Sequence, residues 1–412
     1  MDGGARSLTA VLDAGLRPSE AAAELRRAGA TRAVVLVHDR PVTGEYVGAL
    51  RRAGADPFGI ETVVLAGRSP EEAECLVAAV RARLDALAPG ERGRPRLNGG
   101  ARSRRALFSP GAALVYEPVA VLDEAACAGT AYCGLCAERC PQSAIARTSP
   151  VPTVDLGACT ACGLCVPRCP SGALRLSGAS TPQVEAQLEA LAGHVQGVVL
   201  ACRAAAAEAP AGWALVELPT LALVTVGWLL QLRARGVEVR TAPCGEPGCA
   251  AVAEVVALAG RLAVRPQAGP LRLTEPEATA TALGGGAGVI ESDASPLGVV
   301  SFQATACTLC GACATACPTE AIRLEEGLDE TVLRLAPSAC TGCGRCAVAC
   351  PERALAVRPG IDLGRLRRET VELVWAPVES CAGCGAVLPP RPMRRRLGLA
   401  DDLCAACAAR DY

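Results

Sequence analysis

The chain contains no lysine. All 41 basic residues are arginine, set against 42 acidic ones, for a net charge of -1. That balance gives no electrostatic reason to expect nucleic acid or an anionic membrane as a partner. Histidine is almost absent, with only His38 and His194 among 412 residues. The two are isolated, no Ser/His/Asp set or Walker loop accompanies them, and both read as structural or exposed. Aromatics make up 2% of a chain that is 51% hydrophobic, so its cores must be built from Ala, Val and Leu. The apolar run LALVTVGWLL at 221–230 is too short to span a bilayer and reads as a buried helix. The opening MDGGARSLTAVLDAGLRPSE has no basic segment followed by an apolar one, so no signal peptide is visible. The stretch Ser103 to Phe108 carries Arg104 and Arg105 and resembles a twin-arginine motif, but it sits far from the start and is soon interrupted by Pro110. The expectation is a soluble, cytoplasmic protein with no membrane span.

What is abundant is cysteine, 24 in all. The cysteines fall in tight runs of the form C-x2-C-x2-C-x3-C-P. That spacing favours metal or cluster binding in a reducing compartment over a disulfide framework. Three runs match fully: Cys159, Cys162, Cys165 and Cys169 before Pro170; Cys307, Cys310, Cys313 and Cys317 before Pro318; and Cys340, Cys343, Cys346 and Cys350 before Pro351. The fourth run, Cys127, Cys133, Cys136 and Cys140 before Pro141, has a first gap of five residues, with Thr130 where the usual first Cys would be. Close spacing lets neighbouring sulfurs converge on one compact inorganic core. Glycines stand beside the ligands at Gly134, Gly163, Gly311, Gly342 and Gly344, where close backbone approach lets N–H groups reach sulfur.

These runs resemble the bacterial 2×4Fe–4S ferredoxins, and the resemblance covers the whole segment around the second pair of runs. It implies two dicluster modules holding four 4Fe–4S clusters. In two-cluster ferredoxins the fourth Cys of each run serves the other cluster. Carried over, cluster one takes Cys127, Cys133, Cys136 and Cys169, and cluster two takes Cys159, Cys162, Cys165 and Cys140. Cluster three takes Cys307, Cys310, Cys313 and Cys350, and cluster four takes Cys340, Cys343, Cys346 and Cys317. At cluster one a longer loop brings Cys127 to the same iron; the alternative is a 3Fe–4S site on three cysteines. The segments Ala321–Leu324 and Val332–Leu335 read as the strands of a hairpin in that fold.

The rest of the chain divides around these runs. The fold class read is α+β multidomain: two ferredoxin-like 2×4Fe–4S modules interspersed with small α/β domains and a C-terminal zinc-ribbon-like tail. Residues 1–88 are an α/β domain, with strands at Arg32–His38 and Ile60–Ala66 and a helix capped by Ser69 with Pro70 at its first position, running to about Leu87. Residues 89–119 are a linker, 120–178 the first module, 183–262 a second α/β domain, 263–299 a linker, 300–358 the second module and 371–412 the tail. In the middle domain Gly197–Cys202 reads as a strand, Thr220–Arg235 as a helix and Val237–Arg240 as a strand. The glycines from Gly284 to Gly288 lack the strand before and helix after that a nucleotide loop needs. Cys75 lies on an Ala/Leu/Val-rich helix as a small hydrophobe.

In the tail, Cys381-x2-Cys384 and Cys404-x2-Cys407 have the spacing of a four-Cys zinc ribbon; another iron centre or free thiols are the alternatives. The basic stretch Pro389–Arg396 between them reads as a solvated loop. The middle domain resembles the small iron–sulfur (delta) subunit domain of methyl-viologen-reducing hydrogenases. The likeness rests on the strand to Cys202, the Leu218-Pro219 step, the helix ending at Arg235-Gly236 and the loop with Cys244 and Cys249. In that family further cysteines complete a 2Fe–2S site. Here Thr220 follows Leu-Pro where a Cys would stand, so the domain reads as a degenerate docking domain, with a 2Fe–2S site at Cys202, Cys244 and Cys249 as the alternative. The functional expectation is a polyferredoxin relaying single electrons to redox partner proteins or the other subunits of an oxidoreductase complex. It reads as a non-catalytic subunit, its rivals being an enzyme subunit of hydrogenase or heterodisulfide-reductase type and a redox sensor or assembly protein.

Overall fold

A computed structural model describes residues 8–38, 42–88, 91, 93–97 and 114–409. The twin-arginine-like stretch at Ser103 and most of the linker read at 89–119 lie outside them. Three short Val/Ala/Leu runs, Leu8–Asp13, Ala30–Val37 and Ile60–Val64, form a parallel sheet in sequence order. Parallel neighbours need crossovers, and the helices Pro18–Arg27 and Gly44–Arg52 supply them. The central strand buries Ala33, Val34 and Val35. Helix Pro70–Asp85 starts as the sequence predicts. The Ser69 hydroxyl accepts from the Glu72 amide at 3.2 Å, and Glu72 accepts from the Ser69 amide at 2.9 Å.

The middle domain repeats this parallel plan. Gly197–Cys202, buried throughout, lies between Trp213–Leu218 and Glu238–Ala242. The helix expected over Thr220–Arg235 is split. Thr220 accepts from the Ala222 amide and starts a single 3-10 turn, Leu221–Leu223. Thr225 then caps the α-helix Val226–Ala234. Two threonines, each able to satisfy a free backbone donor, divide one apolar run into two elements.

The segment 263–299, read as a linker, is packed. Its helix Glu277–Ala282 lies on helix Val226–Ala234, and Leu271, Leu273, Ala278 and Ala282 are buried. Half-buried Glu275 accepts from the Thr225 hydroxyl at 2.7 Å, the Gly227 amide at 2.8 Å and the Thr279 hydroxyl at 3.0 Å. Trp228 donates to the Leu273 carbonyl and Gln231 to that of Ala278. Gly284–Gly288 follows a helix and precedes the strand Val289–Glu291, the reverse of a phosphate-binding loop's order.

Each cysteine module has an antiparallel pair formed by its first and last strands and a hairpin between its two runs. In the first these are Ala120–Leu122 with Leu174–Leu176, and Ile145–Ala146 with Thr153–Val154. In the second they are Gly298–Phe302 with Leu355–Asp362, and Ile322–Glu326 with Glu330–Leu335. The second is extended by Val371–Pro377 on the hairpin and Val289–Glu291 on the outer pair. The first module shares one apolar core with the middle domain through Leu176, Val184, Leu200 and Leu218; the second has its own.

The N-terminal domain is held to the rest by buried Arg83, which donates to Gln187 Oε1 at 3.1 Å and the Glu217 carbonyl at 2.8 Å. Arg83→Met leaves those buried acceptors unpaired, which costs about 1–3 kcal/mol. The expected result is faster proteolytic release of residues 8–88 and a lower thermal midpoint, with iron content unchanged. An unchanged midpoint would remove Arg83 from the junction.

Candidate metal centres

Local backbone explains how a short run turns its sulfurs inward. The residue two after the first cysteine of every run is left-handed: Gly129 (φ 79°), Ala161 (57°), Leu309 (57°) and Gly342 (69°). So is the residue three after the last cysteine: Ser143 (49°), Gly172 (66°), Glu320 (52°) and Arg353 (52°). Alternating right- and left-handed residues aims successive amides into one concavity, a cradle for an anionic group. Accordingly Leu309 N lies 3.4 Å from Cys307 Sγ. Ala144 N lies 3.2 Å from Cys140 Sγ, and Ala354 N stands in the same relation to Cys350 Sγ at 3.4 Å.

The stretched run keeps this register, because Cys127 is followed two residues later by left-handed Gly129 as the other first cysteines are by theirs. The extra residues are absorbed after it. Thr130, in the usual place of a first cysteine, donates its hydroxyl to the Thr148 carbonyl at 2.9 Å.

The sixteen cysteines gather across runs. Cys307, Cys310, Cys313 and Cys350 line one cavity. Cys140, Cys159, Cys162 and Cys165 line another. Cys127, Cys133, Cys136 and Cys169 line a third. Cys340, Cys343 and Cys317 surround Cys346. Burial pushes Cys346 and Cys165 up to about 12 and Cys313 and Cys340 up to about 11, and the neighbouring sulfurs add to each rise. Those four thiols are held protonated when bare, and a bound metal cation would be what stabilises them as thiolates. The residues fit the clusters their spacing implies.

The two modules abut. Buried Arg345, beside Cys346, donates from Nε to the Ala316 carbonyl at 3.0 Å and from Nη2 to the Ala128 carbonyl of the other module at 2.9 Å. Burial raises Cys343, and Cys133 of the first module is near enough to contribute to that rise. Among the sixteen, Cys310 alone is exposed.

Two tighter groups stand apart. The Sγ atoms of Cys381, Cys384, Cys404 and Cys407 all lie within 4.8 Å of one another, as do those of Cys202, Cys244 and Cys249. Cys384 and Cys404 are 3.7 Å apart. Such closeness suits one ion, because a cube holds its thiolates farther apart. The Cys404 amide, donating to Cys381 Sγ at 3.2 Å, holds Cys381 down at about 6. The basic stretch between the tail pairs is not the solvated loop expected. It forms helix Arg391–Leu397, and Arg394 is buried, donating to Glu379 and to the Pro389 and Asp401 carbonyls at 2.7 Å each. Run composition hides this, because one arginine in four can turn inward without changing the pattern. Cys75 is half-buried, against the Ala190 carbonyl. His38 is exposed beside Asp13 at 3.4 Å.

Residues 306–354 match the family described as a 4Fe-4S dicluster domain, and residues 152–175 match a 4Fe-4S binding domain. The chain therefore contains 4Fe–4S ferredoxin-type domains, a class whose general work is electron transfer. No curated protein matches it. The first run, the middle domain and the tail lie outside both matches. Among the described residues, no helix is long and apolar enough to cross a membrane.

The left-handed positions give a direct test. A Cβ on Gly342 would sit 3.1 Å from the Leu297 carbonyl, at a φ that costs an L-residue roughly 1–2 kcal/mol. Gly342→Ala should lower the thermal midpoint and speed the loss of iron to a chelator. Iron retention equal to the parent chain would show that alanine adopts the turn there without cost, as Ala161 does in its own run.

Proposed function

We propose that the chain is a polyferredoxin that relays single electrons through four 4Fe–4S clusters, using the ligand sets carried over from the ferredoxin resemblance. The observation behind this reading is the order of the four cysteine sets: Cys310 at the surface, then the set around Cys346, then across Arg345 to the set with Cys127 and Cys133, then the set with Cys162. Each cluster, when bound, supplies a one-electron redox centre. The cysteines bind it, and the left-handed turns aim amides at its sulfurs. Arg345 fixes the spacing between modules by gripping a carbonyl in each. The isolated histidines offer no general acid–base pair at these cavities, which favours a relay over substrate chemistry. Redox partner proteins would dock at the Cys310 face.

Anaerobically prepared protein should contain roughly 16 iron atoms per chain at the full cluster sites, with four Cys to each cluster. Electron paramagnetic resonance during a reductive titration should show magnetically interacting clusters. Cys317→Ala should disable the set around Cys346, although Cys317 belongs to the run of Cys307. About 8 iron atoms after reconstitution would sink the four-cluster reading. A 3Fe–4S signal in the oxidised state would remove Cys127 from the ligands.

The tail is best read as a structural zinc site on Cys381, Cys384, Cys404 and Cys407. Its four sulfurs converge as a tetrahedral ion requires, and there is no histidine nearby to replace any of them. Cys384→Ser should remove one zinc and loosen residues 371–409 while leaving iron unchanged. Loss of iron instead would reassign the site.

A further inference from the structure

The three strands of the middle sheet run parallel, with Gly197–Cys202 in the centre, and their carboxyl ends point to one place. Cys202 ends the central strand, Thr220 follows the end of Trp213–Leu218, and Cys244 follows the end of Glu238–Ala242. Cys249 comes from the next turn, Pro247–Ala250. The crevice at strand carboxyl ends, where successive connections leave to opposite sides, is where open α/β sheets place their ligands.

We propose that Cys202, Cys244 and Cys249 bind a single thiophilic divalent ion of the zinc class, with the Thr220 hydroxyl at its fourth corner. Zinc–thiolate bonds of about 2.3 Å in a tetrahedron set sulfurs roughly 3.8 Å apart. The three sulfurs lie within 4.8 Å of one another, and Cys244 and Cys249 are 3.5 Å apart. A 2Fe–2S cluster must spread its ligands over two irons, and three sulfurs converging on one point do not fit it. Thr220 Oγ1 is 3.7 Å from Cys249 Sγ, the same edge length. Its proton goes to the Cys162 carbonyl at 3.2 Å and it accepts from the Ala222 amide at 3.2 Å, leaving a lone pair for the ion. The Leu221 amide lies 3.3 Å from Cys249 Sγ, an outer contact that suits a bound thiolate.

Cys202 and Cys249 are 3% and 1% exposed, and Cys244 is half-buried, so the centre lies inside the protein with Cys244 at its edge. It is also locked to the first module. Gly248 packs against the Cys162 carbonyl so closely that no side chain fits, and a Cβ on Gly163 would lie 2.6 Å from Thr220 Cγ2. The ion would thus fasten the middle sheet to the loop of Cys162.

The full chain carrying Cys384→Ser, which disables the tail site, is the material for the test. It should hold one zinc per chain beside its iron, and cobalt(II) supplied in place of zinc should give thiolate charge-transfer absorption and tetrahedral ligand-field bands. Adding Cys244→Ser should take zinc from one to none with iron unchanged, whereas Thr220→Cys should slow release of the ion to a chelator. The proposal is overturned if the Cys384→Ser chain holds no metal besides cubane iron, or if two extra irons appear with a 2Fe–2S signal. Zinc lost with Cys384→Ser and zinc lost with Cys244→Ser are separate readouts, so failure of one site leaves the other tested.

Discussion

The last cysteine of each run turns away from its own run and into the cavity of the other. Cys350 joins the set of Cys307, Cys169 joins that of Cys127, and Cys140 joins that of Cys159. No half-module can therefore complete a site alone. The antiparallel pairing of first and last strands serves this crossing, since it brings the two runs side by side. So does the left-handed residue three positions after each last cysteine, which lets the chain leave the crossing sharply. A metal bound in such a cavity would tie two runs together, so that binding and folding of these segments would be linked, as in other small metal-dependent units.

Beyond the cysteines, arginine holds the assembly together. The chain has little aromatic surface and no lysine. At three junctions a buried guanidinium grips backbone carbonyls: Arg83 between the N-terminal and middle domains, Arg345 between the modules, and Arg394 within the tail. A planar group with five donors can satisfy several carbonyls at once while remaining charged, which an ammonium does less well. Composition alone reads the arginines only as charge that balances the acidic residues; their placement gives at least these three a mechanical role.

The gathering of the module cysteines was legible because fixed short spacings ended by proline keep their sulfurs close in space. The buried strands Ala30–Val37 and Gly197–Cys202 were legible from their β-branched runs. The packing of 263–299 was not. It depends on Glu275 finding Thr225 and Gly227 some fifty residues away, and a Pro/Gly-rich composition conceals such contacts. The break at Thr225 was hidden for a related reason, since a threonine inside an apolar run reads equally well as interior or cap until its partner amide is known. The strand Leu8–Asp13 is half exposed and has no strong pattern. The left-handed backbone at Leu309, Glu320 and Arg353 leaves no sign in residue identity, because the surrounding cradle, and not local preference, imposes it.

Fifteen of the sixteen module cysteines are buried or half-buried and Cys310 stands at the surface, which has a consequence for leakage. A conductor sheathed along its length loses current only at its bare end. On the proposed relay, a small diffusing oxidant such as dioxygen meets reduced metal first at the Cys310 face, whichever cluster holds the electron. Tail helix Arg391–Leu397 reaches that face through Arg396, paired at 3.0 Å with Glu352 on the wall of the same cavity. The tail thereby stands beside the one uninsulated terminal, where a partner that covers Cys310 would also seal it.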